Sequence, residues 1–369
     1  MMTTVSLLLS GEMFLRGPVP RTFSVALLAP LSGVMGIVGP AIINCALLAA
    51  EEVSARSNAA VELVLVDAGA TPAAVAREVD LLVGAGLIAG LVGTHTSNIR
   101  TAVGSRVADR VPYIFTPPHE FSGARSGSIF LGSNPNGQLR QPMAWLARNR
   151  KITRWALIGS DYVWPRQVHA AASRMLHDLG HRVVLNRLVP LGHVDVEELV
   201  EAARRGGADA ILVSLVGRDG IVFHRGITEL DVGDAFVRLS TALDENCLVA
   251  AGGDNSGELY SVMPSFIRQD DDRHQRLLES YVARFGHTAP LPGSYAEGSY
   301  DGVHLLAALC GGAGGGARPF FEKAERLLSD GAAPVPPPMI HGQGLQRQPM
   351  RLARAVGTDF DVVGTFAQV

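Results

Sequence analysis

Short runs of Val, Ile and Leu that do not alternate with polar residues constrain the fold of this chain more than any other feature. Each run is followed by a helix-length segment, and this arrangement is typical of a parallel sheet covered by helices on both faces. The pattern occurs once up to Phe115 and begins again at Arg154. We therefore predict an α/β protein with two doubly wound parallel sheets. The predicted strands are residues 23–28, 61–66, 87–92 and 111–115 in the first series, and 154–158, 182–188, 210–216 and 236–240 in the second.

The size and composition of the chain suit two compact lobes. Its 369 residues exceed the usual ~100–200 of a single domain. Hydrophobic residues make up 47% and charged residues only 18%, which provides ample material for cores and argues against disorder. The formal net charge of -3 and the lack of a basic run give no attraction for a phosphate backbone. Direct nucleic-acid binding is therefore not expected.

Turn residues and low-complexity stretches mark where the chain is expected to pass between the lobes. Residues 132–137 combine Gly, Asn and Pro as a linker does, and they are the predicted first crossing. The chain after Ser240 is too poor in strands to build a third domain. It offers a short strand at 260–263 and helices at 272–285 and 296–309, expected to return to the first lobe, then connectors at 311–316 and 334–338, and a closing hairpin of 352–356 and 360–366 in the second lobe.

These assignments define the predicted domain boundaries. We predict an irregular leader over residues 1–21, a first lobe of 22–133 plus 262–335, a second lobe of 134–261 plus 336–369, and a hinge of three crossings.

The segment 158–166, Ile-Gly-Ser-Asp-Tyr-Val-Trp-Pro-Arg, places two aromatic side chains on the turn between a buried strand and a helix. Pro165 suits the first turn of that helix, where its missing N–H costs nothing. Tyr162 and Trp164 are therefore predicted to lie at the carboxyl edge of the second sheet, where open α/β folds bind their ligands. The alternative is that both rings only pack in the hinge.

In the first lobe, residues 93–97 follow a buried strand and open a helix. Free backbone N–H groups and the hydroxyls of Thr96 and Ser97 would converge at this helix N-terminus, which suits an oxygen-bearing ligand. The alternative is that Ser97 only caps its helix. The hydroxyls, the facing aromatic rings and the scarcity of charge indicate a cleft for a small, neutral, polar ligand. The same two sheet edges also carry Thr116, Pro117, Pro118, Val216 and Gly217.

Enzyme and metal motifs are missing or fail on their context. Residues 84–90 imitate a dinucleotide loop but end a helix and precede a strand, the reverse of what pyrophosphate binding requires. The glycine tract at 311–316 lacks the Lys-Ser/Thr pair of a phosphate loop, and neither a GxSxG nor an HExxH motif occurs. The three cysteines lie far apart without metal-ligand spacing. We therefore predict no catalytic residue, no cofactor and no metal site.

The first residues do not match an export signal. No Lys or Arg precedes the apolar run at 5–10, Glu12 interrupts it, and no clear small-residue cleavage site follows. We therefore expect a cytoplasmic protein, with export as the alternative if the native start differs. No window of ~18 apolar residues free of charge and turn formers occurs, so a membrane span is not expected.

Two segments, 91–100 and 158–166, carry a resemblance to a known family. Supported by residues 134–136, 214–217 and 295–297, the chain from about Phe23 to its end resembles the type I solute-binding proteins. The branch it resembles contains the cytoplasmic amide-binding regulator of amidase operons and the urea- and amide-binding components of transporters. The resemblance implies the type I periplasmic binding protein fold, in which two α/β lobes close over a small solute.

The resemblance also implies which residues bind the solute. Ser97, Tyr162 and the loop 116–118 are expected to contact its polar head, while His95, Phe115 and Trp164 occupy positions where relatives often carry aromatic pocket residues. Close regulator relatives have a Pro-Thr-Pro segment followed by Tyr where this chain has residues 116–119. The hydroxyl of the pocket loop is thus displaced by one residue in this chain, and the identity of the ligand stays open. The full set of predicted ligand-binding residues is His95, Thr96, Ser97, Phe115, Thr116, Pro117, Pro118, Tyr162, Trp164, Val216 and Gly217.

By this resemblance the protein is expected to be a non-catalytic sensor of an aliphatic amide, urea or similar solute. It would regulate amidase or nitrile-type gene expression through a partner, by analogy an RNA-binding antiterminator. The alternative is the substrate-binding subunit of an ABC transporter for branched-chain amino acids, amides or urea, with a permease as partner. Asp244 or Glu245 could pair with an ammonium group, which keeps an amino-acid-like ligand open. Whether the protein forms a homo-oligomer is also left open by the sequence.

Overall fold

The computed structural model describes residues 5–56, 60–107, 110–120, 128–310, 340–341, 344–345 and 348–367. The first lobe is built on six parallel strands in the order β1-β3-β2-β4-β5-β6. These strands are β1 (Ser6–Leu9), β2 (Thr22–Ala29), β3 (Ala60–Asp67), β4 (Gly90–Gly93), β5 (Tyr113–Phe115) and β6 (Ser128–Phe130). The helices between them are α1 (Ser10–Arg16), α2 (Gly39–Arg56), α3 (Pro72–Gly84) and α4 (Ser97–Val107).

The second lobe is built on seven strands in the order β15-β14-β11-β10-β9-β7-β8, of which β14 and β15 run antiparallel at one edge. The parallel strands are β7 (Arg154–Ser160), β8 (Arg182–Val189), β9 (Ala210–Ser214), β10 (Val237–Ser240) and β11 (Leu259–Met263). Its helices are α5 (Pro135–Arg150), α6 (Val163–Asp178), α7 (Val196–Arg205), α8 (Arg218–Glu229) and α9 (Glu245–Ala251). The remaining elements are α10 (Asp272–Phe285), α11 (Ser294–Cys310), a ribbon of β12 (Ile340–His341) and β13 (Gly344–Leu345), and the edge strands β14 (Met350–Val356) and β15 (Asp359–Phe366).

Two helix-covered, mainly parallel sheets confirm the predicted α/β class. Local sequence explains where several helices begin. The side chain of Asn134 accepts a hydrogen bond from the backbone N–H of Gly137 at 3.0 Å, and Pro135 occupies the first turn of α5. The side chain of Asp271 caps α10 in the same way, from the N–H of His274 at 2.9 Å.

The long helix α2 is apolar because it lies in the core of the first lobe. Ile42, Cys45 and Ala49 are fully buried, and α2 contacts α10, α11 and β3. Among the described residues, the stretch 36–56, which adds a 3-10 turn to α2, is the one helix long and apolar enough to cross a membrane. Half of its apolar window is buried inside the protein, and packing against α11 and the sheet accounts for this composition.

The expectation of an irregular leader is wrong for residues 6–16. Strand β1 pairs in parallel with β3, and Met13 of α1 is fully buried in the core on the α3 and α4 side of the sheet. Arg16 forms an ion pair with Glu62 of β3, with Nη1 2.6 Å from Oε2. The physical reason is that β1 satisfies the backbone groups along the outer edge of β3. A four-residue strand is too short to show periodicity in the sequence.

Strand β11 corrects the assignment of residues 260–263, which were expected to return to the first lobe. It lies between β10 and β14 in the second sheet, and its five residues are all buried. The unpredicted helix α9 connects β10 to β11 and so provides a crossover between parallel neighbours. The helices α10 and α11 do pack against α2 and β4 of the first lobe. The predicted connectors at 311–316 and 334–338 and the lobe boundary at 335/336 lie outside the described residues.

Candidate ligand-binding cleft

The N-termini of α4 and α6 meet where the two lobes face each other. Each helix follows the carboxyl end of a parallel strand, β4 or β7, so both turns lie at the sheet edge where α/β folds bind ligands. Between them is a cavity of about 20 Å³, measured as the space open to the centre of a water molecule. This is room for roughly one or two waters, so the lobes are closed on each other. The cavity is lined by Met35, His95, Thr96, Ser97, Pro117, Pro118, Tyr162, Trp164, Val216 and Tyr295.

The cavity brings most of the predicted residues together, but Phe115 is not among them. Its side chain is fully buried in the core on the α3 and α4 side of the first sheet. Its ring centroid lies 6.0 Å from that of Phe130 and 5.4 Å from that of His95. Successive side chains of a strand point to opposite faces of the sheet, which here directs Phe115 towards the helices. Phe115 therefore supports the ring of His95 from behind.

Thr116 also lies away from this cavity. Its hydroxyl is 2.6 Å from the hydroxyl of Thr94, so it is engaged within the first lobe. It lines a separate cavity between the lobes, with a volume of about 40 Å³ by the same measure. That second cavity is also lined by Ser133, in the predicted first crossing, and by Pro264, which directly follows β11.

Gly217 holds the lobes together instead of lining the cavity. Its backbone has φ +49°, and a Cβ atom there would lie 2.1 Å from the carbonyl oxygen of Val34 in the first lobe. The next backbone N–H, that of Arg218, donates to the same carbonyl at 2.7 Å. Only glycine permits this backbone-to-backbone approach in this conformation.

His95 is a neutral wall of the cleft. Its Nδ1 lies 3.1 Å from the carbonyl oxygen of Thr96, which can only accept, so Nδ1 carries the proton. Its Nε2 lies 2.8 Å from the hydroxyl of Tyr113 and accepts from it. Burial lowers the pKa of His95 to about 4, with a small further contribution from the charge of Arg100. Both ring nitrogens are thus occupied within the first lobe.

The lowered pKa of His95 predicts an acid-sensitive fold. An unfolded histidine titrates near 6.5, so between about pH 6.5 and pH 4 the unfolded chain binds a proton that the folded chain does not. Stability contributed by the neutral ring is therefore present above this range and is lost as the pH falls through it. We expect wild type to lose about 2 kcal/mol more unfolding free energy than His95→Asn between pH 7 and pH 5. Urea denaturation at both pH values measures this, and equal losses would contradict it.

Ser97 is buried and its hydroxyl has a partner that the sequence did not predict. Ser97 Oγ donates to Glu120 Oε2 at 2.8 Å, and Arg100 forms an ion pair with the same carboxylate. The side chains of Arg100 and Glu120 are only 8% and 5% exposed. The negative charge behind Ser97 is therefore matched by a positive one, and Arg100 does not present an unopposed charge to the cleft.

Trp164 and Tyr162 form the wall of the second lobe, with ring centroids 6.5 Å apart. The indole Nε1 of Trp164 is buried without a hydrogen-bond partner in the described part of the chain. A buried donor without a partner is costly, typically by about 1–3 kcal/mol. Burial, helped by the charges of Glu120 and Asp219, raises the pKa of Tyr162 far above its usual value, so its hydroxyl keeps its proton.

Asp244 and Glu245, the open ammonium partners, do not line the cavity. Asp244 Oδ1 caps α9 by accepting from the N–H of Cys247 at 3.0 Å. Glu245 Oε1 accepts from the N–H of Ile267 at 2.6 Å. Burial and the neighbouring charge of Asp244 raise the pKa of Glu245 to about 8. Their geometry gives no support to an ammonium group in the cleft.

The sequence analysis missed Met35 and Glu120. Met35 lies directly before the 3-10 turn that leads into α2, and it lines the cavity. Its neighbour Val34 accepts the hydrogen bond from Arg218 of the second lobe. Glu120 follows the Pro-Pro-His loop directly, so an acidic residue beside the predicted pocket loop was the available signal. Tyr295, known only as part of a supporting motif, enters the cavity from the start of α11.

The sequence profile of periplasmic binding proteins matches residues 22–359 of the chain. The chain belongs to the periplasmic binding protein family. Solved structures agree with the fold at low identity. A leucine-binding protein from Thermotoga maritima shares 14% identity with a TM-score of 0.77, covering 94% of this chain and 99% of the other. A fatty acid ABC transporter substrate-binding protein from Thermomonospora curvata shares 16% identity with a TM-score of 0.76, covering 96% and 94%.

A third similar structure is an ABC transporter solute-binding protein from Rhodopseudomonas palustris in complex with 3,4-dihydroxybenzoic acid. It shares 19% identity with a TM-score of 0.76, covering 95% of this chain and 98% of the other. At these identities the likeness shows the fold. Together with the family match it gives this periplasmic binding protein the type I periplasmic binding protein fold.

Proposed function

We propose that this protein binds a small, uncharged solute with a carbonyl group, such as an aliphatic amide or urea, and does not convert it chemically. The observation that carries this proposal is the side chain of Trp164, which lines a cavity formed by both lobes and has a buried indole N–H without a partner among the described residues. A carbonyl oxygen would satisfy that donor. Closure then brings the Ser97 side and the Trp164 side to the solute at once, so the ligand favours the closed state.

The electrostatics of the cleft support an uncharged ligand. His95 is neutral at pH 7, and Arg100 is matched by Glu120. The carboxyl groups of Asp244 and Glu245 do not reach the cavity. A charged ligand would lose its water there, and no unpaired group of opposite charge in the described part of the cleft would compensate for that loss. This is costly in a closed site.

The biological role we favour is the substrate-binding subunit of an ABC transporter. Two of the structurally similar proteins carry this role in their names. The partner would then be a membrane permease that recognises the closed form.

A cytoplasmic amide sensor, acting through an antiterminator-type partner, is the second candidate. The observation that favours it is the folded state of residues 6–16. Their apolar run forms β1, and Met13 of α1 is fully buried, so the apolar run that an export signal would need is part of the folded first lobe. Fractionation of cells that express the protein from its native locus distinguishes the two roles, because a transporter subunit follows the exported fraction.

The binding proposal is tested with a thermal-shift screen of acetamide, propionamide, urea and neutral amino acids. A ligand that binds only the native state raises the melting temperature. We expect stabilisation by the amides or urea and none by the amino acids. Stabilisation by amino acids alone would contradict the proposal.

Tyr162→Phe is expected to weaken binding of the best amide by about 1 kcal/mol, roughly fivefold, because it removes one hydroxyl from a closed site. Titration calorimetry measures the change. Tyr281→Phe is the matched control, since that hydroxyl bonds Asn44 and the carbonyl of Pro290 within the first lobe. An equal loss in both variants would remove Tyr162 from the site.

A further inference from the structure

Ser97 lines the cleft, and its hydroxyl can act towards a ligand only as an acceptor. A serine hydroxyl has one proton and two lone pairs. Its proton is directed to Glu120 Oε2 at 2.8 Å, because a carboxylate oxygen can only accept. Only the lone pairs of Ser97 Oγ therefore remain for a ligand, and a carboxylate lies directly behind them.

We infer that Glu120, although it does not line the cavity, determines the ligand selectivity of the cleft by making Ser97 an acceptor, so that ligands with an N–H group are bound and their carboxylate counterparts are rejected. This inference rests on the proposed function. Glu120 is a positioning residue, because it acts through Ser97 and through its charge.

The opposite wall requires the complementary group. The side chain of Trp164 lines this wall and its indole N–H has no partner in the described residues, so a ligand with an acceptor on that side would satisfy it. A carboxamide or urea presents a carbonyl oxygen and an N–H group from the same small unit. A carboxylate of the same shape presents two acceptors, and one of them would meet the Ser97 lone pairs.

The charges around the cleft act in the same direction. Arg100 pairs with Glu120 and cannot serve a ligand carboxylate without breaking that pair. The negative charges of Glu120 and Asp219 both disfavour ionisation of the Tyr162 hydroxyl. They would also repel a ligand carboxylate placed beside that hydroxyl. The arrangement contrasts with the similar structure from Rhodopseudomonas palustris, which is in complex with a benzoic acid.

The test compares isosteric ligand pairs at pH 7 by titration calorimetry: acetamide against acetate, and propionamide against propionate. We expect wild type to bind each amide at least about 100 times more tightly than its carboxylate. Glu120→Gln should reduce this ratio by about tenfold or more, since it removes the carboxylate and leaves Arg100 uncompensated. Glu120→Asp, which keeps the charge, should retain more of the ratio.

Glu62→Gln is the matched control. Glu62 accepts from the Ser24 hydroxyl at 3.0 Å, pairs with Arg16 and is 4% exposed, so it repeats the Ser-Glu-Arg arrangement far from the cleft. The ratio of amide affinity to carboxylate affinity in Glu62→Gln should equal that of wild type. A change as large as that of Glu120→Gln would show that the selectivity is a general effect of stability and would overturn the inference.

Two further outcomes separate this inference from the proposed function. An amide-to-carboxylate ratio that stays at the wild-type value in Glu120→Gln and in Ser97→Ala, with amide binding weakened by Tyr162→Phe, overturns the inference alone. Absence of binding for every amide, urea and carboxylate overturns the proposed function and this inference with it. If Glu120→Gln does not fold, the wild-type ratio and the ratio of Ser97→Ala decide, because Ser97→Ala removes the acceptor and should also lower it.

Discussion

Replacing Gly217 with valine is expected to weaken binding of the best amide ligand by about a hundredfold while each lobe stays folded. A Cβ atom at this position would lie 2.1 Å from the carbonyl oxygen of Val34, so the lobes could not close to the observed distance. Closure would also lose the hydrogen bond from the N–H of Arg218 to that carbonyl. The apparent affinity falls with the fraction of molecules able to close. Calorimetry measures the affinity, and small-angle X-ray scattering measures the compaction on adding ligand.

Gly180→Val is the matched control for the valine substitution. Gly180 has φ +74°, but a Cβ atom there would meet nothing within 4 Å. It therefore reports the cost of placing a side chain on a left-handed backbone, without a clash between lobes. If both variants bind the amide as wild type does, Gly217 has no role in closure.

Arg273→Met is expected to lower the free energy of unfolding by about 3–5 kcal/mol, because it leaves two buried carboxyl groups without their cation. Arg273 Nη1 lies 2.8 Å from Glu297 Oε1, and its other terminal nitrogen pairs with Asp301. Burial would raise the pKa of Glu297, but a hydrogen bond from His274 and the charge of Arg273 lower it below its usual value. Burial raises the pKa of Asp301 above its usual value despite Arg273, with the charge of Glu297 adding to the rise. The midpoint of urea denaturation at pH 7 measures the loss.

Arg268→Met is the control for losing an arginine ion pair. Arg268 pairs with Asp359 at 2.7 Å, but its side chain is 61% exposed. Exposed pairs contribute little, so the change should stay within about 1 kcal/mol. Equal losses in the two variants would mean that the buried cluster does not stabilise the fold.

The candidate cleft was predictable where the signal is local. Tyr162, Trp164 and Ser97 each follow a recognisable strand and begin a helix, so their position at the sheet edge could be inferred from the order of elements. Glu120 was not predictable, because its importance comes from a hydrogen bond to Ser97, which lies 23 residues earlier in the chain. The side chain of Phe115 does not line the cavity, and the sequence could not show this, since the orientation of a strand residue depends on a register that three residues do not reveal.

The sequence by itself determined the α/β class, the two-lobe plan and the turns that face the cleft, because non-alternating apolar strands, helix caps and glycine turns act over a few residues. Only the tertiary structure decided which sheet β11 joins, that residues 6–9 complete the edge of the first sheet, and that Gly217 meets Val34. It also decided that the Ser97 hydroxyl donates its hydrogen bond to Glu120. These features depend on pairing and contact between distant segments, whose free energy is set by shape and desolvation and not by local composition.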